Sequence, residues 1–150
     1  MWWGTLHPLL YAQGAGEPMP IVIDYTKAGI HRVFSGHIDF VDVFQANGKV
    51  LGHPDWHKFR YMVDDLRNIS STSFNRDDAA LTGKMHIPAA SSNPRLRVAA
   101  ISTDPKILPV LEEFRPLMAD VGWQYRVCQT SEEAWDWAVP DGKPRQADAN

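Results

Sequence analysis

The sequence predicts one α/β domain with a mixed, mostly parallel sheet of about five strands, the first two forming a hairpin, and about four helices. Three observations carry this. Strand-like and helix-like stretches alternate along most of the chain. Leu96 to Ile101 is a nearly continuous apolar run, as a central parallel strand covered on both faces requires. At 150 residues the chain is long enough for one sizeable core and short for two.

The elements follow in order. Ile21 to Ile23 is a short apolar strand, Lys27 to Gly29 a turn, and Ile30 to Ser35 a second strand paired with the first. Asp39 is placed to cap a helix with Phe40, Val43, Phe44, Val50 and Leu51 on one stripe, ended by Gly52 and Pro54. Tyr61 to Val63 is the third strand. It runs into Asp65–Ser73, DLRNISSTS, whose hydroxyl cluster from Ser70 to Ser73 reads as turn and capping residues. A second helix is expected from about Arg76 to His86. Asn75 is its cap, and Asp77 and Asp78 sit in the first turn, where the helix dipole favours negative charge. Pro88 and Pro94 bracket a loop. After the central strand, Pro105 or Pro109 opens a third helix, kinked at Pro116 and ended by Gly122. Trp123, Tyr125 and Val127 alternate as a last strand. Thr130 and Glu133 form a capping box for a final helix containing Trp135 and Trp137.

The domain is expected over 20–139, with a loosely ordered extension over 1–19 and a flexible tail over 140–150. Apolar residues make up 44% and charged residues 22%, an ordinary globular composition. A net charge of -3 gives no reason to expect nucleic acid or an anionic membrane surface as partner. Cys128 is the single cysteine, and no Lys or Arg precedes Lys27. Together they point to a reduced, cytoplasmic setting without an export signal.

No motif for chemistry stands out. His53 and His57 have helical metal-ligand spacing, but Gly52 and Pro54 make a polar turn the better reading, so neither a metal nor another cofactor is expected. His31 and His37 flank the second strand. His86 lies near a helix C-terminus, where partial positive charge is mildly favoured. Asp64 and Asp65 end a strand, where solvated carboxylates are common. Cys128 reads as a packing residue, and no nucleophile elbow or phosphate-cradling glycine loop occurs. No catalytic residue is therefore assigned. Of the six tryptophans, most are read as packing. Those near the last strand and helix are alternatively the lining of a small apolar pocket or an oligomer interface.

The ordered series of segments resembles the STAS domain family, closest to its bacterial SpoIIAA-like branch. The resemblance runs from Pro20 to Ala138. It rests on the opening hairpin, Gly36, His53-Pro54-Asp55-Trp56, Asp65-Leu66-Arg67, Arg97 to Ile101, Tyr125-Arg126-Val127 and Ser131 to Trp137. It implies a non-enzymatic regulatory module acting through an unidentified protein partner. In anti-sigma-factor antagonists, a serine at the start of the second helix is phosphorylated and its charge state selects the partner. In this sequence Ser73-Phe74-Asn75-Arg76 stands in place of the usual pattern. Asn75 occupies the tip, so the usual phosphoacceptor is expected to be missing. Ser71, Thr72 and Ser73 remain as displaced candidates, and Ser73, Asn75, Arg76 and Asp77 as the partner-binding segment. The family's kinship with lipid-transfer domains implies the alternative of a module for a small hydrophobic ligand or lipid. A second copy of the chain is a further partner class.

Overall fold

The computed structural model describes residues 19–139; the expected extension and tail lie, apart from residue 19, outside them. One five-stranded sheet has its strands in sequence order: β1 (Ile21–Tyr25), β2 (Gly29–Ile38), β3 (Tyr61–Thr72), β4 (Arg97–Ile101) and β5 (Gln124–Cys128). β1 runs antiparallel to β2, and every later pairing is parallel. The helices are α1 (Phe40–Leu51), α2 (Arg76–Ser92), α3 (Leu108–Asp120) and α4 (Ser131–Ala138), with a short 3₁₀ turn at Trp56–Lys58.

Alternation along the strands divides the core into two layers. Ile30, Met62 and Val98 point toward α1–α3, where they pack with Val50, Trp56, Phe59, Met118 and Trp123. Tyr61, Val63, Ala99, Ile101 and Cys128 point the other way, onto Ala134 and Ala138 of α4. Trp135 and Trp137 belong to this second layer, packing on Tyr61 and on Arg97. They are on the face opposite the cavity described below, so they do not line it.

Local chemistry starts the helices where expected. Asp39 accepts from Asp42 N at 2.9 Å and Asp42 returns the bond to Asp39 N at 2.9 Å. Thr130 accepts from Glu133 N at 3.1 Å, but Glu133 takes its return bond from Gln129 N at 2.9 Å, so the expected box is displaced by one residue. Gly122, at φ 83, follows the last turn of α3 in the left-handed region that glycine adopts without strain.

Two segments differ from expectation. Ser70, Ser71 and Thr72 are not a turn but the end of β3, because β2 extends past Ser35 to Ile38 and supplies a partner strand. Thr72 Oγ1 donates to Ile38 O at 2.7 Å, and His37 Nδ1 lies 2.7 Å from Ser71 Oγ. His31 and His37 therefore lie within β2, and Gly36, at φ 72, belongs to it too. The β2–β3 register shifts between Val33 and Ser35 and between Gly36 and His37. These irregularities re-aim β3, so Leu66 and Ile69, three apart, pack in one apolar cluster.

The second difference is α2, which continues six residues beyond His86 with Pro88 inside it. Proline removes one helical hydrogen bond, a cost of about 3 kcal/mol in a helix interior. Tertiary contacts offset it. Ala89 and Ala90 are buried, Trp56 Nε1 donates to Ala89 O at 3.1 Å, and Asn93 N closes the last turn on Ala89 O at 3.1 Å. The buried stripe of α2 is Ala79, Thr82, Gly83, His86, Ala89 and Ala90. Small residues let α3 come close, and a Cβ on Gly83 would stand 2.8 Å from Leu117 Cδ1.

Candidate functional site

β2 and β3 each bring one charged side chain into the layer beneath α1–α3. Arg32 pairs in register with Asp64. Arg32 Nε donates to Asp64 Oδ1 at 2.8 Å and Nη2 to Oδ2 at 2.7 Å, while Nη1 donates to Asn47 Oδ1 of α1 at 2.7 Å. All three residues are at least nine-tenths buried. Asp64 and Asp65 are therefore mid-strand rather than solvated strand ends. Asp65 projects to the α4 side and is held by Arg67, whose Nε and Nη2 donate at 2.9 and 2.7 Å. That hydrogen-bonded guanidinium keeps the Asp65 carboxyl below the ordinary carboxylate range.

Above the Arg32–Asp64 pair lies a cavity of about 100 Å³, partly open to solvent. Its floor is sheet (Met62, Val98, Ala100), and its far wall is α3 (Val110, Leu111, Phe114). Leu66, Ile69 and Thr72 line it from the irregular end of β3. From α2 come Thr82, whose hydroxyl donates to Asp78 O at 2.8 Å, and His86. Tyr125 Oη, at another wall, donates to Leu111 O at 2.9 Å, and burial raises its pKa well beyond the ordinary value.

His86 is not near a helix end. It lies within α2 at 7% exposure, and its Nδ1 has no hydrogen-bond partner in the protein. Burial, helped by Arg32 and opposed by Asp64, lowers its pKa to about 4, so the ring is neutral at pH 7. Trp123 and Phe114 stand 5.0 and 6.3 Å from it, centroid to centroid. The row continues from Phe114 to Phe74 (6.0 Å), Phe40 (6.4 Å) and Phe44 (5.9 Å). Aromatic walls thus run from the cavity to the surface.

The segment singled out from the sequence lies at that surface end. Asn75 caps α2: its side chain accepts from Asp78 N at 3.0 Å, and Asp78 accepts from Asn75 N at 3.0 Å. Ser73, Asn75, Arg76 and Asp77 are exposed, and Arg76 pairs with Glu113 of α3. Ser71 and Thr72 hydroxyls are bonded to β2 as described, while the Ser73 side chain faces solvent. This segment and the buried centre are separate features, joined through Phe74.

Other candidates are placed as follows. His53 Nδ1 accepts from Asp55 N at 3.0 Å, in a turn packed on Tyr25 and Phe59, while His57 lies in the 3₁₀ turn. Among the described residues no three of His, Cys, Asp and Glu converge to hold a metal ion. Cys128 is buried and its thiol is pushed up to about 11, so it stays protonated as a packing residue. Glu112 pairs with Arg115 on α3.

Arg32, Asn47 and His86 were not read as a site from sequence. The available signal was an arginine inside an apolar strand, at a position where only a buried partner makes sense. Among the described residues no helix is long and apolar enough to cross a membrane.

No protein-family model matches the sequence, and no curated protein matches it. Solved structures do match. The anti-sigma factor antagonist SpoIIAA in its unphosphorylated form has a TM-score of 0.51 at 15% identity, over 80% of this chain and 96% of that one. An uncharacterised DUF3478-family protein from Shewanella loihica PV-4, described as having a SpoIIAA-like fold, has a TM-score of 0.50 at 15% identity. It covers 79% of this chain and 92% of its own. The hairpin, the parallel layer from β2 to β5 and the helix that follows each parallel strand are thus those of the SpoIIAA-like fold, which this chain has.

Proposed function

We propose that the chain is a non-enzymatic regulatory module that works in the cytoplasm by binding a protein partner, as an antagonist with this fold does. The contact surface is the start of α2, Ser73, Asn75, Arg76 and Asp77, together with the neighbouring exposed residues of α1. One observation carries the reading. Phe40 stacks on Phe74 at 6.4 Å and lies tilted against Phe44 at 5.9 Å, which links exposed Phe44 to the polar helix start. An aromatic anchor ringed by polar groups is how protein interfaces concentrate binding energy.

Control at this surface does not use a phosphate on Asn75, which has no hydroxyl, nor on Ser71 or Thr72, whose hydroxyls are spent on β2. A phosphate on Ser73 would face Asp77 and Asp78, where like charges repel.

The test is quantitative capture of partners from the native cell by tagged wild type, by Phe44→Ala/Arg76→Glu and by Glu132→Lys on α4. The proposal expects a partner retained by wild type and the α4 variant and lost at least tenfold by the double variant. Equal capture by all three would remove the surface. Phosphosite mapping of the same chain is expected to find Ser71, Thr72 and Ser73 unmodified. Stoichiometric phosphate on Ser73 would restore the switch.

A second reading, binding of a small apolar molecule, is favoured by the cavity and is developed below.

A further inference from the structure

We infer that the cavity between the sheet and α1–α3 is a binding site for an uncharged molecule about one aromatic ring in size, apolar over most of its surface and carrying one hydrogen-bonding group that meets the His86 imidazole. The site does not depend on the partner surface.

Polarity comes first. His86 is 7% exposed, it lines the cavity, and Nδ1 is unpartnered within the protein. Buried polar atoms are almost always satisfied, so an unpartnered one leaves a bond for water or a ligand to supply. Either neutral tautomer serves, since an imidazole nitrogen accepts from a hydroxyl or donates to an oxygen.

Charge comes next. Arg32 and Asp64 neutralise each other through two bonds, and Asn47 takes a third guanidinium hydrogen. The pair leaves no net charge to hold an ion. A charged ligand would give up its hydration for no counter-ion, so the occupant is neutral.

Size and shape complete the class. A cavity of about 100 Å³ is somewhat below the roughly 150 Å³ that accepts benzene in an engineered core, and this one is partly open, so a single ring fits and an acyl chain does not. Phe74 and Phe114, stacked at 6.0 Å with 22° between their planes, both line the cavity and give such a ring aromatic surface to pack on.

The test uses phenol and toluene, close in shape and differing in the hydroxyl, added to the ¹⁵N-labelled full chain. Wild type is expected to show saturable shifts with both probes, centred on Leu111, Phe114 and His86. The His86 imidazole nitrogens are expected to shift with phenol and not with toluene. In His86→Leu the ratio of phenol affinity to toluene affinity is expected to fall about tenfold, the worth of one bond to a buried polar group. Val110→Phe, a larger side chain on the cavity wall, is expected to weaken both probes. The proposal is overturned if folded wild type shows no saturable shift with either probe at millimolar concentration. It is equally overturned if shifts scatter over the surface, as for an adventitious additive only, or if phenol leaves the His86 nitrogens unmoved. The imidazole readout decides the matter on wild type alone, should either variant fail to fold.

Discussion

Arg32 on β2 and Asp64 on β3 face one another in register and bond side-on, at 2.8 and 2.7 Å, at 4% and 8% exposure. Removing one partner strands the other charge away from water. Asp64→Asn or Arg32→Met is expected to cost about 3–5 kcal/mol in urea denaturation. Arg32→Met/Asp64→Leu, which replaces both by apolar groups of similar bulk, is expected to recover most of that loss. A double variant as unstable as the sum of the single ones would show that the two residues act independently.

His86 makes stability depend on pH. The unfolded ring takes a proton as pH falls through 6.5, whereas the folded one resists until about 4. The unfolded state therefore binds more protons in this window, and stability falls with falling pH. The stability is full above pH 6.5, and the loss reaches about 3 kcal/mol by pH 4. Urea midpoints from pH 7.5 to 4.5 should drop more steeply for wild type than for His86→Gln. Parallel curves would mean that His86 is protonated equally in both states.

Asn75 holds the first turn of α2 through its two reciprocal bonds with Asp78. Asn75→Ala is expected to lose about 1 kcal/mol, and Asn75→Ser, another strong cap, close to nothing. Thermal melts of the three proteins decide this, and equal losses for both substitutions would show that the amide does more than cap.

Asn93 ties the end of α2 to the turn before β3. Its fully buried Nδ2 donates to Trp56 O at 2.7 Å and Phe59 O at 2.8 Å, and its backbone carbonyl accepts from Trp123 Nε1 at 2.8 Å. Asn93→Ala removes two core hydrogen bonds, although Phe59 N and Arg60 Nη1 still reach the same two carbonyls, and is expected to cost about 1–3 kcal/mol. Exchange of the amides in the last turn of α2 should accelerate with it. Unchanged protection there would show that Pro88 is tolerated without this tie.

Much of the architecture was legible locally. Leu96 to Ile101 shows itself as a doubly covered strand because its apolar run is continuous. Asp39, Asn75 and Thr130 announce helix starts because a cap and its partner lie within three residues of each other. Gly122 marks the end of α3, since its backbone enters a region that side chains disfavour. In each case the deciding atoms belong to a few neighbouring residues, so the sequence by itself determines the element.

The tertiary structure decided the rest. Ser70 to Thr72 have the composition of a turn and become strand only because Ile38 and His37 offer them a ladder. Pro88 should end a helix, yet α2 passes through it because burial of Ala89 and Ala90 and the ties to Trp56 and Asn93 outweigh one lost bond. Arg32 and Asp64 are 32 residues apart in sequence, and nothing near either one names the other. His86 acquires its depressed pKa from the walls that enclose it and not from its helix position. Residue type and short spacing encode caps, turns and strands, but partners, burial and cavities depend on which distant segments the sheet brings side by side.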